Sequence, residues 1–396
     1  MGAPGSVAVI GVGMSKFGEN FDMSYTDMLV DACCEAFEDA RVEKSRIEAA
    51  WLGTYLPYAW NIEGVSGSSL AEPLNLFPIP VTRVSNYCCT GMEAVRGAAL
   101  AVASGEYEVA LACGVEKMRD VTSRGSLVSQ HIERGHPYYC KGRTAPGIFA
   151  LMATRYMHEY GITHETLSKV AVKNHRNGAM NGKAHFQRVI TMEQAEKAPF
   201  VVEPLRLFDC CPTTDGAAAA VVTTVENAKK LKGKDFSVIR GMGLAVTEGY
   251  FTVQMTPSFT FTGFRATQKA AEAAYKQAGI KEPKKEISCA EVHDCFTITE
   301  ILNYEDLFLA EKGEGWRMIE NGESALGGRL PVNPSGGLKS FGHPIGASGV
   351  RMIAEITNQL RGRCGERQVE GAHTGIAHNL GGPGAVATVF VLGKPE

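Results

Sequence analysis

Four short clusters in the 396-residue sequence carry side chains able to work on a carbonyl carbon. In Asn86-Tyr87-Cys88-Cys89-Thr90-Gly91, Cys88 stands where an alanine-rich segment predicts the start of a helix. A helix N-terminus stabilises a thiolate and presents backbone N–H groups to an oxyanion. Taken alone, a free cysteine is more often a buried structural thiol than a nucleophile. The second cluster, Glu291-Val292-His293-Asp294-Cys295-Phe296, ends an apolar run that predicts a strand over Ile287–Val292. The third joins Asn333-Pro334-Ser335-Gly336-Gly337 to Gly342-His343-Pro344-Ile345-Gly346-Ala347-Ser348-Gly349, which sets His343 at a second helix entrance. A histidine there can take the proton of a thiol and later hold an oxyanion. The fourth, His378-Asn379-Leu380-Gly381-Gly382-Pro383-Gly384, reads as a glycine-rich turn that permits close backbone approach. A lone histidine in such a turn is more often structural than catalytic.

The elements that must position these clusters occur twice. Val7-Ala8-Val9-Ile10-Gly11-Val12-Gly13 predicts a buried strand closed by a glycine turn, followed by an amphipathic helix over Tyr25–Ala40 and a strand within Ile47–Tyr55. The order returns with the strand and glycine turn at Phe236–Gly243, a helix over Ala266–Ala278 and the strand Ile287–His293. Gly91–Arg96 and Gly346–Arg351 open matching helices, and Asp215–Val222 is echoed by Pro383–Val389. Strands alternating with helices predict an α/β fold of two pseudo-symmetric βαβ-rich halves. The expected halves are residues 1–230 and 231–396, the first carrying a loop domain inserted at about 117–210. That insert holds predicted helices at Gly147–Tyr160 and His164–Asn177 and a turn at Gly135-His136-Pro137. Inserts of this length form lids and binding walls more often than core.

Composition narrows the setting. A net charge of −3 gives no reason to expect nucleic acid or an anionic membrane as partner. No apolar run approaches the roughly 20 residues that span a bilayer. The opening Met1–Ser6 lacks the pattern of a secretory leader, and Gly393–Glu396 is no peroxisomal address. Eleven cysteines, an odd number with three adjacent pairs and no paired CxxC spacing, argue against a disulfide framework and against structural zinc. Reduced thiols in the cytoplasm are expected.

The ordered set of Cys88, His293-Asp294-Cys295-Phe296 and Gly342-His343-Pro344 resembles the thiolase superfamily, most closely its sterol-carrier-protein-2-type thiolases. The resemblance runs the length of the chain, through Lys173-Asn174-His175 and Asp215-Gly216-Ala217 to the last turn. It implies the thiolase fold, a layered α/β/α/β/α core, and CoA thioester chemistry with coenzyme A as co-substrate and no tightly bound cofactor or metal. By the same resemblance Cys88 matches the nucleophile that becomes acylated, and His343 the histidine that activates it and helps bind the thioester oxygen. Many thiolases carry a second catalytic cysteine in a Cys-x-Gly turn; this chain has Asn379-Leu380-Gly381 there. The sterol-carrier type uses the cysteine of its His-Asp-Cys-Phe segment as acid/base, which points to Cys295. His293 then matches a contributor to the first oxyanion hole, and the N–H groups of Cys88 and Gly381 form the second. His378 and Asn379 are expected neighbours of the site. Cys89 is expected to pack beside the nucleophile, and Cys33, Cys34, Cys113, Cys210, Cys211, Cys289 and Cys364 to be core or surface thiols. The resemblance also implies a homodimer and allows a small zinc-ribbon/OB-fold partner chain.

Three other readings compete with this one. Gly11-x-Gly13 after the first strand hints at a nicotinamide dehydrogenase, but Gly18 is too distant to complete G-x-G-x-x-G. A thiolase-fold aldolase acting on a hydroxyacyl-CoA and a non-catalytic acyl-CoA or lipid carrier both sit poorly with the retained Cys88 and Cys295. For the substrate, Tyr55, Tyr58, Trp60, Tyr138, Tyr139, Tyr250 and Phe251 suggest room for a bulky or aryl acyl chain, such as that of benzoylsuccinyl-CoA, with ordinary packing as the competing explanation.

Overall fold

The computed structural model describes residues 5–122, 144–247 and 260–396. Its first half runs β1 (Val7–Met14), α1 (Tyr25–Ala40), β2 (Ala49–Gly53), β3 (Val81–Val84), α2 (Thr90–Ser104) and β4 (Val109–Glu116). The inserted stretch supplies α3 (Ala145–Tyr160), α4 (His164–Ala179) and a small ribbon of β5 (Phe200–Val202) and β6 (Leu205–Arg206), before β7 (Gly216–Thr224) returns to the sheet. The second half runs β8 (Ser237–Val246), α5 (Arg265–Ala278), β9 (Cys289–Glu291), α6 (Thr297–Asp306), α7 (Ile345–Arg361), β10 (Thr374–Gly381) and β11 (Val386–Gly393).

Nine strands form one mixed sheet in the order β3-β2-β4-β7-β1-β8-β11-β10-β9. Read outward from the β1–β8 junction, the two sides repeat one another: a first strand, a last strand paired to it, then the strand that adjoins the helix layer. The junction itself is short, pairing Val7, Ala8 and Val9 with Ile239, Val238 and Ser237. Helices α2 and α7 lie together between the two sheet halves, with α1 on the outer face of the first and α5 on the outer face of the second. This is the expected five-layered arrangement.

The apolar runs are continuous because both sheet faces are buried. Along β1, Val7 and Val9 join the core around α2 and α7, whereas Ala8 and Ile10 join the core beneath α1. Along β7, Ala218, Ala220 and Val222 face one way and Ala217, Ala219 and Val221 the other. One expectation needs correcting here. Gly11 and Gly13 do not close a turn; they are residues of β1, and Gly241 and Gly243 are residues of β8. A Cβ on Gly11 or Gly13 would overlap the α1 backbone at Ala36 or Ala32, and one on Gly241 or Gly243 the α5 backbone at Ala274 or Ala270. The paired glycines therefore let each outer helix press onto its strand.

The same device closes the central layer. Gly91 of α2 and Gly114 of β4 both abut the Gly346 carbonyl of α7, and Gly349 abuts Met92, so that a Cβ at any of them would overlap backbone. The N-terminal turns of α2 and α7 meet there, one from each half.

Candidate active site

Cys88 occupies the turn between β3 and α2, and the turn is closed by its own atoms. Thr90 Oγ1 accepts from the Asn86 N–H at 2.8 Å and donates to the Tyr87 carbonyl at 2.6 Å. Tyr87 takes the left-handed conformation, φ 49°, and the N–H groups of Cys89 and Thr90 bond back to Asn86 and Tyr87. Cys88 is left half-buried one residue before the helix cap. Burial pushes its thiol up to about 12; the backbone N–H groups of Gly382 and of Cys88 itself pull the other way, and the Glu116 carboxylate adds to the rise. Gly382 takes φ 59°, and Gly381, the donor expected from the sequence, ends β10 opposite Val386, so the two successive amides lie at the end of the strand.

His343 precedes α7 and is buried. Its Nδ1 lies 2.7 Å from Ser348 Oγ, and Ser348 Oγ lies 2.8 Å from the Pro344 carbonyl. A carbonyl only accepts, so the hydroxyl hydrogen goes to it and the hydroxyl oxygen accepts from Nδ1–H. The Nε2 lone pair of His343 is thereby left for the site. Burial, with the Arg351 charge in support, keeps this imidazole neutral down to about 3.

His293 follows β9. Its carbonyl accepts from Asn303 Nδ2 at 2.7 Å, its N–H approaches His378 Nδ1 at 3.5 Å, and its Nδ1 faces Asn379 Nδ2 at 3.4 Å. The His293 and His343 rings meet edge to face with centroids 5.2 Å apart. One ligating atom from each of Cys88, His293 and His343 lies within 4.8 Å of the others, so three segments from both halves converge on one point. A cluster of one thiol and two imidazoles could also ligate a soft cation.

Cys295 is buried next to this trio. Its carbonyl accepts from the Cys211 N–H at 2.9 Å. Burial, then the neighbouring Cys211 and Cys88 thiols, push its own thiol well up. His378 and Asn379 belong to β10 rather than to the turn expected from the sequence, because their ladder with Val389 and Thr388 continues to Gly381. His378 Nε2 meets Thr267 Oγ1 at 3.1 Å, an outward contact, while Cys89 sits behind the nucleophile with its thiol on the Asn379 carbonyl at 3.3 Å.

Several residues given no role from the sequence support the site, and Glu116 and Glu300 were not singled out there at all. Glu116, at the end of β4, accepts from the N–H of Tyr55 at 2.9 Å, the Thr54 hydroxyl at 3.1 Å and the N–H of Gly346 at 2.8 Å. It ties the first half to the α7 entrance that carries His343, and burial raises its carboxyl to about 7. From α4 of the insert, Asn174 Nδ2 reaches Asp294 at 2.8 Å and Glu300 at 2.7 Å, and Lys173 Nζ reaches Glu300 at 2.8 Å. Asp294 in turn accepts from the Leu338 N–H at 2.6 Å, binding the His293–Cys295 segment to the turn ahead of His343. Cys211, expected to be an ordinary thiol, adjoins both Cys295 and Cys88. An acidic residue ending an apolar run, as in Gly114-Val115-Glu116, is the sequence signal that could have found Glu116.

Of the aromatics, Tyr55 and Trp60 pack with Met118 and Ile345 beside Tyr87 and Cys88, whereas Tyr58 is exposed. Tyr138, Tyr139, Tyr250 and Phe251, like the Gly135-His136-Pro137 turn, lie outside the described residues. Among those described, no helix is long and apolar enough to cross a membrane.

The chain resembles known proteins over its whole length. The thiolase N-terminal domain family matches residues 7–226, and the thiolase C-terminal domain-like family matches residues 247–394. The chain is 41% identical to an acetyl-CoA acetyltransferase of Methanothermobacter thermautotrophicus, over 98% of this chain and 99% of that protein. It is 34% identical to sterol carrier protein 2 of Oryctolagus cuniculus, over 98% of this chain and 72% of that one. Among solved structures, an Ltp2-ChsH2(DUF35) aldolase superposes with a TM-score of 0.84 at 28% identity, covering 100% of this chain and 99% of that one. A thiolase from Ascaris suum in complex with coenzyme A superposes with a TM-score of 0.71 at 18% identity, covering 98% and 100%, and shares the fold. The chain belongs to the thiolase family.

Proposed function

We propose that this thiolase-type acyl-CoA acyltransferase cleaves a 3-oxoacyl-CoA with CoA, or runs the reverse Claisen condensation, through an acyl-enzyme on Cys88. The observation that carries the reading is the convergence of Cys88, His293 and His343 within 4.8 Å from opposite halves. The Cys88 sulfur attacks the 3-oxo carbon as its proton passes to His343 Nε2. The N–H groups beside the sulfur, Cys88 with Gly382 or Gly381, hold the tetrahedral oxyanion. The bond between C2 and C3 then breaks, its electron pair forming an enolate whose oxygen is met by His293 and His343. The Cys295 thiol protonates C2 and the C1–C2 acyl-CoA leaves. Incoming CoA gives its thiol proton to the Cys295 thiolate and attacks the acyl group on Cys88, whose sulfur departs and takes its proton back from His343 as the shortened acyl-CoA is released.

Intact-mass measurement after mixing with acyl-CoA tests this. A CoA-free acyl adduct is expected on the wild type and not on Cys88→Ala. The superposed aldolase favours a second reading, retro-aldol cleavage of a hydroxyacyl-CoA, which forms no such adduct. An adduct absent from the wild type would therefore turn the assignment toward the aldolase.

The packing of Tyr55 and Trp60 against the Cys88 turn supports a bulky or aromatic 3-oxoacyl chain of the benzoylsuccinyl-CoA kind. A panel of 3-oxoacyl-CoA substrates assayed with free CoA decides it. A homodimer in the cytoplasm, joined by a small zinc-ribbon/OB-fold chain, is the assembly proposed. The second component in the name of the superposed aldolase supports the partner, and co-purification with native mass measurement tests it.

A further inference from the structure

We infer that Asn379 is a positioning residue that sets the ring tautomer of His293, and that Met352 holds Asn379 in the orientation this requires. The Asn379 amide is buried and, among the described residues, makes its hydrogen-bond contacts through Nδ2 alone. Nδ2 lies 3.2 Å from Met352 Sδ and 3.4 Å from His293 Nδ1. Oδ1, on the other side, has no hydrogen-bond partner among the described residues and sits against Gly349. A thioether sulfur only accepts, so the amide group that faces Met352 is the NH2. Its remaining hydrogen points to His293 Nδ1, which must then be the unprotonated nitrogen. Turning the amide over would set Oδ1 against the sulfur and keep only one of the two contacts.

His293 in this state carries its proton on Nε2, the nitrogen left for the cavity shared with Cys88 and His343. Its neutrality follows from burial, reinforced by the neighbouring His343 and His378 rings and by the Arg351 charge, all of which oppose its protonation, so a single ring proton is at stake. His343 is the opposite case, since Ser348 takes its Nδ1–H and leaves a lone pair on Nε2. Two adjacent imidazoles are thus held in opposite tautomers by their outer neighbours, one as donor and one as acceptor. A donor at His293 suits an enolate oxygen. That catalytic consequence rests on the function proposed above; the tautomer does not. Asn379 stands at the position where many thiolases carry the second cysteine, and in this chain it has a separate task.

The test is nitrogen NMR on enzyme labelled with ¹⁵N-histidine, with His293→Gln used to assign the His293 ring signals. The wild type is expected to show His293 protonated at Nε2 and bare at Nδ1. Asn379→Asp, whose carboxylate cannot donate, is expected to place a proton on Nδ1. With it the carbon–carbon step should slow by about 10²–10³-fold, the loss expected for one oxyanion donor, while acylation of Cys88 persists. Met352→Leu, a volume-conserving change, should let a Nδ1–H population appear beside the Nε2–H form. A wild-type His293 protonated at Nδ1 would overturn the inference without recourse to any variant, as would Nδ1 staying bare in Asn379→Asp. Should the tautomer switch as expected while condensation keeps its wild-type rate, the role given to His293 fails and the tautomer assignment stands.

Discussion

His293 and His343 meet edge to face, their ring planes at 86°, and each keeps Nδ1 on an outer partner and turns Nε2 toward the cavity holding Cys88. Neither histidine is charged at rest. Burial keeps His343 unprotonated above about 3 and keeps the Cys88 proton in place below about 12. Between those limits the pair is a neutral thiol beside a neutral imidazole, and the proton moves only as a carbonyl carbon arrives. The ultraviolet thiolate absorbance, taken as the difference between wild type and Cys88→Ala, is expected to show no step from about pH 6 to about pH 9. A titration step within that range would mean a preformed ion pair.

Removing the base should slow acylation rather than abolish it. His343→Ala is expected to cost about 10²–10⁴-fold in single-turnover acylation, the range for a positioned general base. Ser348→Ala, which frees the ring from its Nδ1 partner, should cost less, about 10-fold. Unchanged acylation in His343→Ala would leave that histidine a structural role only.

The two thiols should separate the two chemical steps. Cys295→Ala is expected to accept an acyl group on Cys88 and to lose exchange of the acyl-CoA α-proton in deuterated water. Exchange at the wild-type rate would send the search for the acid/base elsewhere, with Cys211 the neighbouring thiol to try next.

Glu116 should matter through position and charge together. All its contacts are donors, and an amide would turn an NH2 on some of them. Glu116→Gln is expected to cost about 2 kcal/mol of stability by denaturant unfolding, the scale of one hydrogen bond to a charged group. Acylation should slow alongside, because the Gly346 N–H is three residues from His343. Equal stability and rate would make the carboxylate dispensable.

Much of this site could be read from local pattern. Cys88 and His343 stood out because each is a reactive side chain ahead of a small-residue helix entrance, and the repeat of strand, helix and glycine placed them in corresponding halves. What escaped notice depended on distant partners. Glu116 acquires its meaning from Gly346, 230 positions away. Gly11 and Gly243 show in sequence only that a side chain is missing; the helix pressing on each is visible only in the fold. The strand ladder that holds His378 and Asn379 out of the expected turn depends on Val389 and Thr388.

The meeting of α2 and α7 at Gly91, Gly114, Gly346 and Gly349 works as a hard stop. Where side chains set a spacing, rotamers can yield; where backbone rests on backbone, nothing is left to give. The separation between nucleophile and base is therefore referenced to backbone resting on backbone, and mutations that reshape the outer walls cannot easily propagate into it. A chain built this way can explore new acyl groups on one side while its bond-making distances stay calibrated on the other.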